Sequence, residues 1–197
     1  MVNPVLIRSV KDARSDDDLM LAYGRDDAAA FDQLYARYRE PLYRYLVHAT
    51  GQRAVADDLY QDVWSRIITS RATFKRDAGF KRWAFRIAHN RLIDHWRAQK
   101  PTDADSETTL GRLADDPSRR PDAEQARGEQ ADRLRSALMA LPRDQREAFV
   151  LQQEAGLSLA EIADHEGVGR ETIKSRLRYA VNKLRERLGP NTETLPP

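Results

Sequence analysis

Cysteine is absent from the chain of 197 residues. A disulfide framework, a zinc site with thiolate ligands and a cysteine nucleophile are therefore excluded. Histidine is also scarce, with four residues scattered at positions 48, 89, 95 and 165. His89 and His95 are six residues apart, which places them on different faces of a helix. We therefore predict no metal site and no other cofactor.

Long apolar runs are missing as well. Near the N-terminus only Val5, Leu6 and Ile7 follow one another, which is too short for a signal peptide. No stretch reaches the length of a transmembrane helix. The alternation of apolar and polar residues that is typical of half-buried strands is nowhere evident. We therefore expect a soluble, cytoplasmic, all-α protein, and its length indicates one or two domains.

Charge is unevenly distributed along the chain, although the net charge is only +2. Residues 71–100 contain nine Lys or Arg against two Asp, and residues 170–188 contain seven Lys or Arg against two Glu. Between them, residues 101–132 contain nine acidic residues against four Arg. This pattern predicts two basic ends that are joined by an acidic segment.

Residues 157–188 are typical of a helix-turn-helix. Ser158 and Glu161 have the spacing of a capping box at the start of a short helix. Gly167 and Gly169 then predict a sharp turn before a second, longer helix. The apolar side of that helix comprises Ile173, Leu177, Ala180, Leu184 and Leu188.

The other side of the second helix carries Arg170, Glu171, Lys174, Ser175 and Arg178. Its Arg and Lys residues suit guanine edges in the major groove, and Ser175 or Glu171 suits other base edges. Arg176, Arg185 and Arg187 are better placed for phosphates. The alternative is a helical hairpin with a solvated charged face. The surplus of positive charge favours DNA binding.

The first hundred residues predict four helices. An acidic cluster begins a short helix that Gly24 ends, and Asp26 or Asp27 caps the next helix. The apolar stripe of that second helix comprises Phe31, Leu34, Tyr35, Tyr38, Leu42, Tyr45 and Leu46. The stripe keeps its phase through Pro41, so we expect a kinked but continuous helix that Gly51 closes. Its aromatic residues are expected in the core.

The helix predicted at residues 53–70 has two distinct faces. Its apolar face comprises Val55, Leu59, Val63 and Ile67. Its polar face comprises Asp57, Asp58, Gln61, Asp62 and Ser65. A solvated surface and a docking surface for a basic partner both fit the polar face, and the pattern alone favours the solvated surface.

A loop at residues 73–79 precedes a basic helix at residues 80–97. Basic residues beside aromatic rings suit single-stranded nucleic acid, because phosphates meet the charge and unstacked bases meet the rings. The loop residues Phe74, Lys75, Arg76 and Asp77 could supply a pocket for a flipped base. The alternative is that Phe80, Trp83 and Trp96 are simply core residues.

The predicted organisation has two helical domains and a flexible linker. Residues 1–15 form a loose tail, 16–100 the first domain, 101–122 the linker, 123–189 the second domain and 190–197 a second tail. Before the helix-turn-helix, the second domain contains one helix to Ala140 and another from Arg143 to Glu154.

Four stretches in this order resemble the extracytoplasmic-function (ECF) group of bacterial RNA polymerase sigma factors, within the sigma-70 family. Residues 56–64 (ADDLYQDVW) resemble region 2.2, and residues 80–94 (FKRWAFRIAHNRLID) resemble regions 2.3 and 2.4. Residues 141–146 (LPRDQR) with residues 157–163 (LSLAEIA) resemble region 4. Residues 172–177 (TIKSRL) resemble the recognition helix. Gly169 stands where a Ser or Pro is common, which implies a weaker cap for that helix.

The resemblance implies partners for each surface. The clamp helices of the largest polymerase subunit would contact Asp57, Asp58, Gln61, Asp62 and Ser65. The −10 promoter element would contact Phe74, Lys75, Arg76, Asp77, Phe80, Arg82, Arg86, Asn90 and Arg91. The −35 element would contact Arg170, Glu171, Thr172, Lys174, Ser175, Arg176 and Arg178. The flap of the second-largest subunit and an anti-sigma factor or other regulator are further expected partners.

The expected function is that of an alternative sigma factor, which is not an enzyme. It binds core RNA polymerase, recognises the −35 and −10 elements and promotes melting. One alternative is a freestanding helix-turn-helix regulator, which would not need the basic and aromatic residues 71–100. Another is a hydrolase with a metal on Asp57, Asp58 and Asp62, but no His or Glu converges on that stripe.

Overall fold

A computed structural model describes residues 14–99 and 122–189, and within residues 122–127 it describes only the backbone. These two ranges contain eight α-helices, two short 3-10 turns and no strand, which confirms the all-α prediction. The predicted linker, apart from Asp122, lies outside the described residues, as do residues 1–13 and 190–197.

The first domain contains four α-helices. They are α1 (Asp16–Tyr23), α2 (Ala28–Thr50), α3 (Arg53–Thr69) and α4 (Phe80–Ala98). The segment between α3 and α4 forms 3-10 turns at Arg71–Thr73 and Arg76–Ala78. The second domain contains α5 (Asp122–Met139), α6 (Arg143–Ala155), α7 (Leu159–Glu166) and α8 (Arg170–Leu188).

Two residues just before the predicted start of the first domain contact it. The Ser15 hydroxyl caps α1 by accepting a hydrogen bond of 3.1 Å from the Asp18 backbone N–H. Arg14 pairs with Asp27 at 3.0 Å, which ties the chain before α1 to the start of α2. Ser15 also explains why an acidic first turn is stable here, since both the cap and the carboxylates suit a helix N-terminus.

Helix α2 runs without a break through Pro41, as its apolar phase predicted. Asp27 is its cap and accepts a hydrogen bond of 3.2 Å from the Ala30 N–H. Gly51 ends it in the left-handed conformation with φ of 72°, which a side chain would disfavour. Helix α2 packs against α1, α3 and α4 on the side of the first domain and against α5 and α6 on the side of the second.

Aromatic residues of the first domain contribute to its core. On α2, Tyr38 and Tyr45 are buried, as predicted, and Phe31 is half-buried. Tyr35, which was also expected in the core, is 38% exposed and packs against Phe31 and Trp64 at the edge of the cluster. Tyr45, Phe80 and Phe85 are fully buried. The ring centroids of Tyr38 and Phe80 are 4.9 Å apart, and those of Tyr45 and Phe85 are 5.6 Å apart. Both pairs meet edge-on. Edge-on aromatic pairs stabilise a core beyond the area that they bury, so α2 and α4 are held firmly together.

The helix-turn-helix of the second domain forms as its local signals predicted. The Ser158 hydroxyl accepts from the Glu161 N–H at 3.3 Å, and the Glu161 carboxylate accepts from the Ser158 N–H at 2.8 Å, which completes the capping box. Gly167 has a left-handed φ of 66° and ends α7. Gly169 has an ordinary φ of −72° and begins α8 without a side-chain cap. The predicted apolar stripe of α8 is buried at Ile173, Leu177, Ala180 and Leu184 and half-buried at Leu188.

In the described residues, helices of the two domains pack against each other. Helix α6 lies against α2 and α4, and α7 also contacts α4. Throughout the described ranges, the helices lack the combination of length and apolar character that a membrane span requires.

The N-cap residues of the two helices in the helix-turn-helix predict stability changes of opposite sign. Ser158→Ala removes the acceptor for the Glu161 N–H, so we expect it to lower the free energy of unfolding by about 1 kcal/mol. Gly169→Ser adds an acceptor at a backbone conformation that any residue adopts, so we expect a gain of roughly a few tenths of a kcal/mol. Urea denaturation measures both. Ser136→Ala, at an exposed position within α5, is the control and should show no loss.

Candidate functional site

The predicted docking face lies on the outer side of α3. Asp57, Asp58, Gln61, Asp62 and Ser65 are all exposed. On the opposite side of the helix, Leu59, Val63 and Ile67 are buried, and Val55 is half-buried. The structure therefore brings the predicted docking residues together on one acidic surface of a helix that the core holds in place. Their contact with a partner stays a prediction.

Arg91 joins the acidic face of α3 to α4. Its guanidinium donates to the Asp62 carboxylate, and it also pairs with Asp94 at 3.4 Å. The Arg91 side chain is only 23% exposed, and its Nε atom is buried without a hydrogen-bond partner. Arg91, predicted as a contact to the −10 element, is thus held by a residue that was predicted to dock on polymerase.

The loop between α3 and α4 is fastened to α1. Arg76 donates to the Asp18 carboxylate, and the Phe80 backbone N–H donates to the Asp17 carboxylate at 2.5 Å. Hydrogen bonds from Ser15 and Arg76 lower the pKa of Asp18. No local spacing could indicate these pairs, because about sixty residues separate the partners. The acidic first turn of α1 therefore helps to position the loop.

The two phenylalanines of the predicted base pocket are core residues. Phe74 is 6% exposed and Phe80 is 1% exposed. The Phe74 ring lies edge-on to the rings of Phe80 at 6.2 Å and Trp83 at 5.4 Å. Neither phenylalanine is available here to stack on an unpaired base. The exposed members of the predicted pocket are Lys75, Arg76 and Asp77.

Helix α4 presents a polar stripe with a spacing of four residues. Arg82 is half-buried, and Arg86 and Asn90 are exposed. Residues four apart share one side of a helix, so two guanidiniums and one amide form a row beside the loop. Such a row can contact phosphates with its cations and base edges with its amide. Arg91 belongs to a different side, toward α3.

The outer face of α8 is open to solvent. Among the predicted −35 contacts, Arg170, Glu171, Thr172, Lys174, Ser175 and Arg178 are exposed. The amine of Lys174 lies 3.7 Å from the Glu171 carboxylate, a weak surface pair that nucleic acid can displace. Tyr179, which the sequence patterns did not single out, is 55% exposed beside Arg178. Its hydroxyl and ring extend the same surface.

Arg176 differs from its neighbours because its charge is engaged within the domain. It donates to the Glu166 carboxylate and pairs with Asp144 at 2.8 Å, which connects α8 to α7 and α6. The Glu166 side chain is 6% exposed. Burial raises the pKa of Glu166 to about 7, although the Arg176 guanidinium acts in the opposite direction. Arg176 therefore orients the helix-turn-helix, and it is not presented to solvent like Arg170 or Lys174.

The acidic face of α3 shows no metal-binding arrangement. Within the two described ranges, no group of three or more His, Asp or Glu residues could hold an ion. Two of the histidines approach each other across the domains, since the ring centroids of His89 and His165 are 5.9 Å apart. Their separation in sequence gave no indication of this contact.

Family comparisons match both domains. The family model described as Sigma-70 region 2 matches residues 34–102, and the one described as Sigma-70, region 4 matches residues 137–186. The chain is 32% identical over 176 residues to the ECF RNA polymerase sigma factor SigM of Mycobacterium tuberculosis, covering 89% of this chain and 86% of that protein. It is also 32% identical over 173 residues to the RNA polymerase sigma factor CarQ of Myxococcus xanthus, covering 84% of this chain and 93% of CarQ.

Solved structures agree with the helical architecture. CnrH, in its complex with the cytosolic domain of CnrY, superposes with a TM-score of 0.66 at 26% identity. The match covers 91% of this chain and all of that one (100%). The sigma factor RpoE from Bartonella quintana, in complex with the anti-sigma factor NepR, gives a TM-score of 0.62 at 22% identity, covering 82% of this chain and 98% of that one, and supports the fold alone.

The raised pKa of Glu166 makes a prediction about stability and pH. The folded protein binds the carboxyl proton of Glu166 more tightly than the unfolded chain does. This difference stabilises the folded state below about pH 4.5, and the stabilisation is lost as pH rises through about 7. Glu166→Gln cannot ionise. We therefore expect the midpoint of thermal unfolding of the variant to rise relative to the parent chain between about pH 5 and about pH 8.

Comparison of the two chains at each pH cancels the titration of groups that do not interact with Glu166. Glu129→Gln, at an exposed position on α5, is the control and should follow the parent chain. A difference between Glu166→Gln and the parent that stays constant with pH would contradict the assignment.

Proposed function

The chain belongs to the extracytoplasmic-function group of sigma factors in the sigma-70 family, and from this membership we propose how its surfaces divide the work of initiation. It is an alternative sigma factor that lends promoter specificity to core RNA polymerase in the cytoplasm and performs no catalysis of its own. One observation carries the proposal. A single chain exposes an acidic face on α3, a basic and polar stripe on α4 and a basic face on α8.

Docking on polymerase is the proposed role of α3. A cluster of exposed carboxylates suits a basic partner, which fits the clamp helices of the largest subunit. Complementary charge speeds the encounter and fixes the orientation of the complex. Since the apolar side of α3 is anchored in the core at Leu59, Val63 and Ile67, docking would hold the whole first domain in one orientation on the enzyme.

Recognition and melting of the −10 element are the proposed roles of α4 and the preceding loop. Arg82, Arg86 and Asn90 form the row that would meet the separated strand, and Lys75, Arg76 and Asp77 border it. A surface that binds the unpaired strand better than the duplex shifts the equilibrium toward the open form. Phe74 of the loop and Phe80 at the start of α4 are buried and pack against each other, which ties the loop to the helix.

Recognition of the −35 element is the proposed role of α8, whose first turns would enter the major groove. The domain that carries α8 would also contact the flap of the second-largest subunit. Because two DNA-binding domains share one chain, binding by the first raises the effective concentration of the second at the promoter. This gain requires both domains, which separates the proposal from a freestanding helix-turn-helix regulator.

The decisive experiment is transcription in vitro with purified core polymerase and a promoter library. We expect initiation at a defined set of sites that share two sequence elements, and only when the chain is present. A freestanding regulator would bind duplex DNA without polymerase and would start no transcripts. Failure to join core polymerase would overturn the proposal.

Asp58 is suited to a test of docking because it is exposed. Unlike Asp62, it does not form an ion pair with Arg91, so its replacement leaves that pair intact. We expect Asp58→Arg to weaken binding to core polymerase by about tenfold, since it places like charges at a basic contact. Fluorescence anisotropy measures the affinity, and circular dichroism checks helicity. Glu129→Arg makes the same change of charge on α5 and should bind normally. Equal affinities for the two variants would remove α3 from the interface.

The face of α8 predicts a selective promoter defect. We expect Arg170→Ala and Lys174→Ala each to lose about 1–3 kcal/mol of −35 recognition while core binding is preserved. Transcription from templates with and without the −35 element separates the two effects. Arg133→Ala, at an exposed position on α5, is the control. A loss of the same size on both templates would count against the assignment of α8.

A further inference from the structure

Helix α4 begins without a cap of its own. Its N-cap position is Gly79, which has no side chain to accept a hydrogen bond, and no acidic residue follows in the first turn. The Trp83 N–H donates to the Gly79 carbonyl at 3.0 Å, so the N–H groups of residues 80–82 lie ahead of that bond. Such groups need partners from outside the helix. Lys81 and Arg82 add positive charge at the end where the helix dipole is already positive.

A carboxylate of α1 takes the place of the missing cap. The Phe80 N–H donates to Asp17 Oδ1 at 2.5 Å, although 63 residues separate the two in sequence. Asp17 is half-buried in the first turn of α1, and α1 packs against α4. This one carboxylate therefore satisfies the first N–H of α4 and offsets part of the positive charge at this end of the helix.

The two neighbours of Asp17 contact other parts of the first domain. Asp16 accepts a hydrogen bond from the Tyr38 hydroxyl, which fastens α1 to α2. Asp18 accepts from Arg76 in the loop, but these two side chains are 41% and 58% exposed, so their ion pair is weak. Asp17 is thus the member of the acidic turn that contacts the backbone of α4.

The bond from Asp17 lies where the loop becomes the helix. Gly79 has φ of 69°, a conformation that side chains disfavour, and a Cβ there would meet no atom within 4 Å. The backbone turn therefore requires the glycine, and no neighbour restrains it. Phe80, the next residue, is held at its N–H by Asp17 and at its ring by Tyr38. These contacts set the direction in which α4 leaves the loop.

The direction of α4 decides where its polar row meets DNA. Arg82, Arg86 and Asn90 follow Phe80 on the same continuous helix. A tilt of the first turn would therefore move all three side chains relative to the loop. Binding groups must be held within roughly 0.5 Å of their productive positions by supporting contacts of this kind.

We propose that Asp17 is a positioning residue for recognition of the −10 element, because its carboxylate caps α4 from outside the helix and fixes the row of Arg82, Arg86 and Asn90 relative to the loop. This inference rests on the proposed role of α4 and the loop in binding the unpaired strand. Asp17 itself contacts no DNA in this role. It acts through the backbone of Phe80.

Three substitutions separate the position of the acceptor from its charge. Asp17→Asn keeps an oxygen acceptor and removes the charge, Asp17→Glu keeps the charge and moves the oxygens by one methylene, and Asp17→Ala removes both. Asp32→Ala, at an exposed position on α2, is the matched control.

Hydrogen exchange at the Phe80 amide, measured by NMR on the full chain, tests the cap directly. We expect exchange to be about tenfold faster in Asp17→Ala and Asp17→Glu than in the parent chain, because loss of the acceptor raises the population of the locally open state. Asp17→Asn and the Asp32→Ala control should exchange at nearly the parent rate.

Transcription with core polymerase measures the effect on function. Two templates carry a preformed bubble over the −10 region, one with a −10 sequence that the parent chain selects and one with that sequence scrambled. We expect the preference for the selected sequence to fall about fivefold in Asp17→Ala and Asp17→Glu, which is the effect of losing one helix cap. Asp17→Asn and Asp32→Ala should keep the preference, and all four variants should bind core polymerase with the parent affinity.

The inference is overturned if Phe80 exchanges equally fast in Asp17→Ala and in the parent. It is also overturned if Asp17→Glu keeps the template preference or if Asp17→Asn loses it, since either result makes charge, and not position, the acting property. A parallel loss of core binding and preference would overturn it too, because general loss of structure would explain both. The Asn and Glu variants decide the question even if Asp17→Ala lowers the stability of the fold.

The parent chain tests the proposed function separately. If the parent shows no preference between the two templates, the proposed role of α4 and the loop is refuted. If the parent shows the preference and all three variants at Asp17 share it, only the role of Asp17 is refuted.

Discussion

Burial of α2 by helices of both domains is the constraint on which the arrangement of this protein depends. Tyr38 and Tyr45 of α2 pair with Phe80 and Phe85 of α4 inside the first domain. The C-terminal half of the same helix carries Arg44 and His48, which meet α6 of the second domain. One helix therefore belongs to two interfaces of different chemistry. The apolar side fixes the first domain, and the polar side holds the second domain in a contact that water can replace.

Acidic side chains determine which cations remain available. Asp18 holds Arg76, Asp62 holds Arg91, and Glu166 with Asp144 holds Arg176. The cations left on the outer face of α8 are those that no buried carboxylate engages, such as Arg170 and Arg178. A net charge near zero is thus compatible with strongly basic surfaces. Several acids are used inside the fold or on α3, although Asp77 and Glu171 lie exposed on the surfaces that are predicted to bind nucleic acid.

Local signals were sufficient for the parts of the structure that short segments determine. The capping box of Ser158 and Glu161, the continuity of α2 through Pro41 and the apolar stripe of α8 were all predictable from spacing. The same holds for the two faces of α3, because an amphipathic helix reveals its buried side in its own sequence. Composition also indicated that residues 71–100 and 170–188 are basic.

The state of individual site residues depends on tertiary contacts and could not be predicted. Residues 71–100 are rich in basic and aromatic side chains, yet only the fold shows that Phe74 is covered by Phe80 and Trp83. The sequence separated Arg176 from Arg178 only as a phosphate contact, and it could not show that Asp144, 32 residues away, engages its guanidinium. The meeting of His89 with His165 likewise requires two domains to be docked, which no periodicity encodes.

The shared position of Asp62 has a thermodynamic consequence. Its carboxylate is exposed on α3 and at the same time restrains Arg91 on α4. If polymerase engages Asp62, the guanidinium loses one of its two anions and gains affinity for a phosphate. Because the coupling between two ligands is reciprocal, promoter DNA must then raise the affinity of this domain for polymerase by the same factor. A single ion pair would in that way make enzyme and promoter cooperative ligands of one small domain.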